Sequence, residues 1–350
     1  MEPLRAAIIG CGQIAGKHVA AMAELEGALT LAAVLDLNES RLLRFAEECR
    51  PIYPAVRAFR SVDELLEKSD AELVVIATSS DSHSELALKA LRAGKHVLVE
   101  KPLALSMREA REAVAEAKAR GLKLAVSFQA RYMPQLKAMK AAVEHSRFGA
   151  IGHGVVKMRW NRSLSYFKES PWRESWAKGG GLFMNQCIHY VDLLQWLLGP
   201  VQSVYARAAS FGQDIGVENT GVAVLTFQSG AIGFIEATTN AYPASLGTSI
   251  ALFGEKGSAE LEGALLDKVA LWQFAEKDAV PVPQPEGISH TPLYRDLAKA
   301  IRSGAGSLVE AVDTLPALEI VFAIYRSIAS GEVVKLPLNQ FEMRGMSWME

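Results

Sequence analysis

Short, wholly apolar runs alternate with amphipathic stretches along the first third of the chain. Ala6 to Ile9, Leu31 to Leu35, Leu73 to Ala77, Val97 to Val99 and Lys123 to Ser127 read as strands. Ile14 to Glu26, Asn38 to Cys49, Ser84 to Ala93 and Ser106 to Arg120 carry a helical period, with Asn38 placed to cap its helix. Strands that are apolar on both faces and separated by helices predict a parallel sheet covered on both sides. Further on the pattern changes. Ile151 to Trp160 alternates, with Lys157 and Arg159 on one face and Val156, Met158 and Trp160 on the other. Val201 to Ala209, Val222 to Phe227, Ala231 to Thr238, Ser249 to Phe253 and Ser258 to Glu262 follow as strands, with turns such as Gln228-Ser229-Gly230 and no helix between them. Consecutive strands of that kind predict antiparallel pairing. Ala275 to Ile288 is a Pro-rich loop, and Tyr294 to Ser303 and Val309 to Ser330 are helical in pattern. The fold class is α/β, with a doubly wound parallel domain over 1–125 and a second domain over 126–350.

Composition narrows the class. A chain of 350 residues, half of them hydrophobic, is long enough for two domains with large cores. A formal net charge of −2, with no run of Lys or Arg, speaks against nucleic-acid and membrane-surface partners. No apolar run is long enough to span a bilayer, and no charged-then-apolar leader precedes the first strand, so a cytoplasmic location is expected. Three scattered cysteines, Cys11, Cys49 and Cys187, fit a reducing compartment and no zinc site. Of the histidines, His18, His96, His145, His153 and His290 look isolated in sequence, and no His/Asp/Glu cluster has metal-ligand spacing.

The turn after the first strand reads Gly10-Cys11-Gly12-Gln13-Ile14-Ala15, a G-x-G-x-x-A pattern. Gly10 permits the tight turn, Gly12 lets a pyrophosphate approach the backbone, and Ala15 keeps the helix close to the sheet. An acid, Asp36, ends the next strand, which completes the context of a dinucleotide fingerprint. Asp36 would accept hydrogen bonds from the adenosine ribose and repel a 2′-phosphate, so NAD is favoured over NADP. Arg41 and Arg44, on the following helix, read as solvated charges that keep NADP as the lesser option.

A second chemical stretch runs from Gly179-Gly180-Gly181 to Asp192. Asn185, His189 and Asp192 follow at helical spacing on one face among Leu182, Phe183, Ile188, Val191 and Leu194, and Gly199-Pro200 stops the helix. Polar groups in such apolar company need buried partners or a cleft. The glycines remove side chains where a ligand or another backbone comes close. Cys187 falls on a different face from His189, against a Cys–His nucleophile.

Two more segments complete the picture: Thr78-Ser79-Ser80-Asp81-Ser82-His83, and Ala93-Gly94-Lys95-His96 running to Glu100-Lys101-Pro102. With the glycine turn and the Gly179–Asp192 helix, the chain resembles the Gfo/Idh/MocA oxidoreductase family over nearly its whole length. The resemblance implies an N-terminal Rossmann domain, a C-terminal α/β domain on a large, mostly antiparallel open sheet, and homodimers or homotetramers. It implies that Lys101 and His189 flank the reacting carbon, that Glu100 contacts the cofactor near its ribose, and that the Lys101-Pro102 bond is cis. Thr78, Ser79, Ser80, His83 and Gln129 are implied to lie beside the cofactor with Gly10, Gly12, Gln13, Ile14, Asp36 and Lys101. Arg131, close to Gln129, matches the same Q-x-R segment. Two departures stand out. Many members carry Asp where this chain has Asn185, so the usual Asp–His pair is not available from this position, and Asn here resembles the branch acting at C3 of nucleotide sugars or related sugars. Ser79 replaces a common Pro.

Asn161 to Lys178 mixes aromatic, Arg and Asn residues, the usual lining of a sugar site or else a cover for the sheet. Trp172 and Arg159 are substrate-contact candidates, with Asn185 and Asp192 positioning neighbouring hydroxyls. The expected activity is an NAD-dependent hydride transfer between a sugar or nucleotide-sugar carbinol, C3 favoured, and nicotinamide. His189 would take the hydroxyl proton and Lys101 would stabilise the oxygen. The alternatives are an inositol or polyol dehydrogenase, a glycoside hydrolase working through transient oxidation by NAD, and a non-catalytic dinucleotide-binding module.

Overall fold

The computed structural model describes residues 2–25, 27–275, 281–338, 341–343 and 346. The expected helix end at Glu26 and residues 276–280 of the expected loop lie outside them. The chain divides into two compact units. The first comprises Met1–Ala104, Arg108–Gln129 and Ser289–Thr314; the second comprises Leu105–Met107, Ala130–Ile288 and Leu315–Glu350. One cut near Ala125 therefore falls close to the crossing at Gln129 but misses the late segment that returns to the first unit.

In the first unit, six strands alternate with five helices: β1 (Leu4–Ile9), α1 (Gln13–Ala23), β2 (Leu29–Leu35), α2 (Glu39–Cys49), β3 (Arg57–Phe59), α3 (Val62–Lys68), β4 (Leu73–Ile76), α4 (His83–Arg92), β5 (His96–Val99), α5 (Met107–Arg120) and β6 (Leu124–Val126). The sheet order is β3-β2-β1-β4-β5-β6, with every neighbouring pair parallel. That is the doubly wound Rossmann order, whose switch point lies between β1 and β4. The apolar runs of β1, β4 and β5 are buried along their length, as a sheet covered on both faces requires. Asn38 caps α2, its side chain accepting from Arg41 N at 2.9 Å.

The second unit begins with α6 (Pro134–Glu144) and β7 (Ile151–Arg159), followed by α7 (Leu164–Lys168) and α8 (Ile188–Leu198). Six strands come next: β8 (Val201–Ala209), β9 (Thr220–Phe227), β10 (Ile232–Thr238), β11 (Gly247–Gly254), β12 (Gly257–Glu262) and β13 (Lys268–Phe274). The chain continues through α9 (Thr291–Ser303), which belongs to the first unit, and α10 (Ala311–Ser330) to β14 (Val334–Lys335). The eight-stranded sheet runs β13-β12-β11-β7-β10-β9-β8-β14. It is antiparallel except at β7–β10, which pair in parallel.

One face of this sheet carries α8. A methyl group on Gly154 would stand 2.5 Å from Leu198 Cδ1 and 3.0 Å from Leu194 Cδ1, so the glycine sets how closely the helix lies on β7. The other face is open and bears Val222, Val224, Ile232 and Phe253, all more than a third exposed.

Candidate active site

The carboxyl ends of the parallel strands gather most of the residues singled out in the first half of the sequence. Gly10 follows β1, Asp36 follows β2, Thr78 to Ser80 lie just beyond β4, Glu100 and Lys101 follow β5, and Gln129 lies just past β6. Gly10 has φ +98°, and a Cβ there would strike Ala77 O at 2.6 Å, so the turn is pressed against the end of β4. Gly12 precedes α1 without any side-chain cap, and a Cβ on it would meet nothing within 4 Å. Gln13 and Ile14 open the helix behind this open glycine, and the backbone N–H groups of such a helix start are where a pyrophosphate binds. The cradle suits a dinucleotide.

Asp36 is buried and does two jobs. Its carboxylate accepts from Cys11 N at 2.9 Å and from Asn38 N at 2.7 Å, which fixes the glycine turn to the β2 end. Arg41, expected to be solvated, is exposed and also reaches Asp36 Oδ2 with Nη1 at 3.4 Å. Arg44 faces Glu48 at 3.7 Å on the exposed side of α2.

His83 holds two loops together. Its Nδ1 lies 2.7 Å from Pro102 O and its Nε2 3.2 Å from Thr78 O. The ring is 1% exposed, and burial lowers its pKa below the ordinary 6.5. A neutral ring has one proton and so donates to one of these two carbonyls, Pro102 O being the nearer. His83 thereby braces the Lys101-Pro102 peptide, which is cis as the resemblance implied.

Glu100 lies among groups the sequence had scattered. Its Oε1 is 3.2 Å from His18 Nε2 and 3.8 Å from His290 Nε2, and His18 Nδ1 is 2.9 Å from Tyr294 Oη. All of these residues are buried, and the two imidazoles meet edge to face at 4.9 Å. Burial pushes the Glu100 carboxyl up, but the two histidines outweigh it and hold the group well below the usual carboxylate range. His18 is driven below 6.5 by burial, partly offset by Glu100. The expectation that His18 and His290 stand isolated, with no clustered His and Glu, is corrected: α1, the β5 end and the start of α9 bring three such side chains within 4.8 Å of one another. No spacing in the sequence could signal this, because the partners are 82 and 190 residues apart in the chain.

In the second unit, Leu182–Cys187 is wound as a π-helix and α8 continues from Ile188. The wider turn departs from the regular 3.6-residue helix expected there, and such turns recur at functional sites. From Leu182 to Leu194 every residue is buried save His189, which is half-exposed. The glycines before the turn face protein. A Cβ on Gly180 would lie 2.3 Å from Arg173 O, and one on Gly181 (φ +96°) would lie 2.7 Å from Tyr325 Oη and 2.8 Å from Glu218 Oε2. Glu218, 1% exposed and absent from the sequence reading, accepts from Trp176 Nε1 at 2.6 Å, Phe183 N at 3.0 Å and Tyr325 Oη at 2.7 Å. This carboxylate anchors the first residues of the π-turn. Cys187 is fully buried, and burial raises its thiol pKa, so it is no nucleophile.

Three substrate candidates have other company. Asp192 is 1% exposed and grips the Arg131 guanidinium at 2.6 and 2.8 Å. Arg159 lies on the open face of the sheet, opposite α8, and pairs with Glu236 at 2.6 and 2.9 Å. The structure thus separates it from the Asn185–His189 side. Trp172 is half-buried in the turn Pro171–Glu174, with its carbonyl oxygen against Gly180. Asn185 is buried on the π-turn, 8% exposed, one residue from Gln186.

Residues 4–128 match the family model described as an oxidoreductase family with an NAD-binding Rossmann fold, and residues 136–260 match the Gfo/Idh/MocA C-terminal domain. The chain belongs to the Gfo/Idh/MocA oxidoreductase family. Its first unit is the NAD-binding fold of that family and its second the family's C-terminal domain. The chain is similar in structure to the WlbA dehydrogenase from Bordetella pertussis, solved with NADH and UDP-GlcNAcA. The two are 34% identical, with a TM-score of 0.89 over 97% of this chain and 100% of that one. WlbA from Chromobacterium violaceum, solved with the same two molecules, is 33% identical with a TM-score of 0.91 over 97% of each chain. Myo-inositol 2-dehydrogenase of Thermotoga maritima is 30% identical over 264 residues, 73% of this chain and 74% of that protein.

Proposed function

We propose that this oxidoreductase is a nucleotide-sugar dehydrogenase, oxidising a ring hydroxyl, with C3 favoured, in a UDP-linked sugar. The observation that carries the reading is His189, the one half-exposed side chain in the buried run from Leu182 to Leu194. A titratable ring presented from so apolar a turn suits a general base. The likeness to two WlbA dehydrogenases, each solved with a UDP-sugar, supports the substrate class. Asn185 in place of the common Asp supports the same branch.

When bound, NAD supplies the carbon that accepts the hydride. The chain supplies the rest. His189 removes the hydroxyl proton, and Lys101 donates a hydrogen bond to the same oxygen as negative charge builds on it. His83 braces the loop that carries Lys101. Glu218 fixes the turn that presents Asn185 to a neighbouring hydroxyl. Asp192 acts at one remove, by holding Arg131. The open face of the large sheet, with its exposed Val222, Val224, Ile232 and Phe253, supports pairing with a second copy of the chain.

The test is absorbance at the NADH band with free, phosphorylated and UDP-linked sugars. UDP-linked sugars are expected to reduce NAD. His189→Ala and Lys101→Met are each expected to lower turnover about 100- to 10,000-fold while NAD still quenches protein fluorescence. Preferred turnover of inositol would move the protein to the polyol dehydrogenases, and an undiminished rate in either variant would remove that residue from its role.

A further inference from the structure

The segment between β7 and the glycine run carries two arginines that make no ion pair among the described residues. The Arg162 guanidinium lies 4.9 Å from the centre of the Trp160 ring and 5.1 Å from that of Tyr166. The Arg173 guanidinium lies 4.0 Å from the Tyr166 ring and 5.9 Å from Trp172, and its Nη1 donates to Tyr166 O at 2.6 Å. Glu174, beside Arg173, gives Oε2 to Lys168 at 3.0 Å, while its Oε1 is buried without a hydrogen-bond donor. Both arginines keep a buried Nε with no hydrogen-bond acceptor. Two cations on one tyrosine, neither in an ion pair with a carboxylate among the described residues, favour an anion arriving from outside.

Two contacts tie the pair to the residues of the proposed chemistry. Tyr166 Oη accepts from Gln186 Nε2 at 3.3 Å, and Gln186 adjoins Asn185 on the π-turn. The Trp160 ring meets Tyr190, the neighbour of His189, edge to face at 6.0 Å. Gln186 is 5% exposed, and its Oε1 is buried without a donor. The cluster thus holds unused donors on two guanidiniums and an unused acceptor on one buried amide. That set suits a ligand presenting anionic oxygens together with a hydroxyl or amide N–H. Arginine is the fitting residue, because its planar fork can stack on an aromatic ring and still grip two oxygens of a carboxylate or phosphate.

We propose that Arg162 and Arg173 form an anion subsite that makes this enzyme selective for negatively charged sugars. The anion is either a carboxylate on the sugar ring or the diphosphate of a linked nucleotide. The inference rests on the reading of Asn185 and His189 as the substrate side of this unit. The guanidiniums of Arg162 and Arg173 take the anionic oxygens with donors other than the Arg173 Nη1 held by Tyr166 O, and Gln186 Oε1 takes a neighbouring donor.

Four probes separate the sources of charge: glucose carries none, glucuronate a carboxylate, UDP-GlcNAc a diphosphate, and UDP-GlcNAcA both. Each is titrated calorimetrically into the NAD-loaded protein and also assayed for NADH formation. Wild-type protein is expected to prefer a charged probe over glucose. Arg162→Met and Arg173→Met are expected to shrink that preference about 10- to 100-fold, the worth of a hydrogen bond to a charged group. Arg162→Lys and Arg173→Lys, which keep the charge and lose the fork, are expected to fall between. Loss with glucuronate alone assigns the carboxylate; loss with UDP-GlcNAc alone assigns the diphosphate. Equal affinity of the wild type for glucose and every charged probe overturns the proposal, and so does an unchanged preference in all four folded variants. Calorimetry keeps the two readings apart: charge-selective binding without NADH formation leaves the anion subsite standing and removes the dehydrogenase.

Discussion

Arg131 and Asp192 lock together inside the second unit, Nη2 to Oδ1 at 2.6 Å and Nε to Oδ2 at 2.8 Å, with side chains only 2% and 1% exposed. Two parallel hydrogen bonds out of water make a rigid joint between the turn after β6 and helix α8. Asp192→Ala leaves a buried guanidinium without its counter-charge and is expected to cost about 3–5 kcal/mol. The double variant Arg131→Met with Asp192→Leu is expected to recover most of that loss. Urea unfolding of the three proteins checks both. A loss of sugar affinity in Asp192→Asn with no loss of stability would instead return Asp192 to direct substrate contact.

Gly181→Ala is expected to be damaging. The residue has φ +96°, and the added methyl would fall within 3 Å of both Tyr325 Oη and the Glu218 carboxylate. Left-handed strain and overpacking together amount to about 3 kcal/mol. A lowered melting temperature together with a lowered kcat is the expected outcome, because the same carboxylate anchors Phe183 N at 3.0 Å.

Stability is expected to decline as pH falls below 6.5. His18 and His83 are buried, and burial lowers both from that ordinary value, so the unfolded chain takes up protons that the folded chain resists. Their contribution is complete above 6.5 and is lost progressively on acidification. Below about 4.5 Glu100, held well under that value by the two histidines, adds to the loss. Melting temperature against pH measures the slope, and His83→Gln is expected to flatten it between pH 6.5 and 5.

Asp36→Ser is expected to weaken NAD and admit NADP. The carboxylate lies 3.4 Å from Arg41, and its removal frees that guanidinium for a 2′-phosphate. The Kd for NAD is expected to rise about tenfold, the effect of one charge-assisted hydrogen bond. Fluorescence titration with the two dinucleotides reads the ratio.

The sequence made the parallel sheet legible because β1, β4 and β5 are apolar on both faces and the glycine turn joins a strand to a helix with Asp36 ending the next strand. It made β8 to β12 legible as apolar-rich runs broken by turns, most of them alternating. It left out β3, three residues long with Arg57 and Ala58 exposed, and α6, whose buried Gln135 interrupts the apolar stripe. Periodicity also places a residue on a face without naming what lies opposite. Hence the pattern could not show that Arg159 pairs with Glu236, 77 residues away in the chain, or Asp192 with Arg131, 61 residues away. The parallel pairing of β7 with β10 joins strands more than 70 residues apart, which no local pattern encodes. Lys101, Asn185 and His189 were named from a motif, whereas Glu218 and Gln186 had no motif to announce them.

The dinucleotide-binding unit is finished late. Its final piece, Ser289–Thr314, brings His290 and Tyr294 to His18 and Glu100, and Thr291 Oγ1 to Glu24 at 2.7 Å. A ribosome making this chain has translated more than four-fifths of it before those partners exist. Until then a histidine and a carboxylate destined for the interior lack the cover that His290 and Tyr294 give them. A fragment ended near residue 130 would carry every glycine of the fingerprint and still lack the helix that seals its floor.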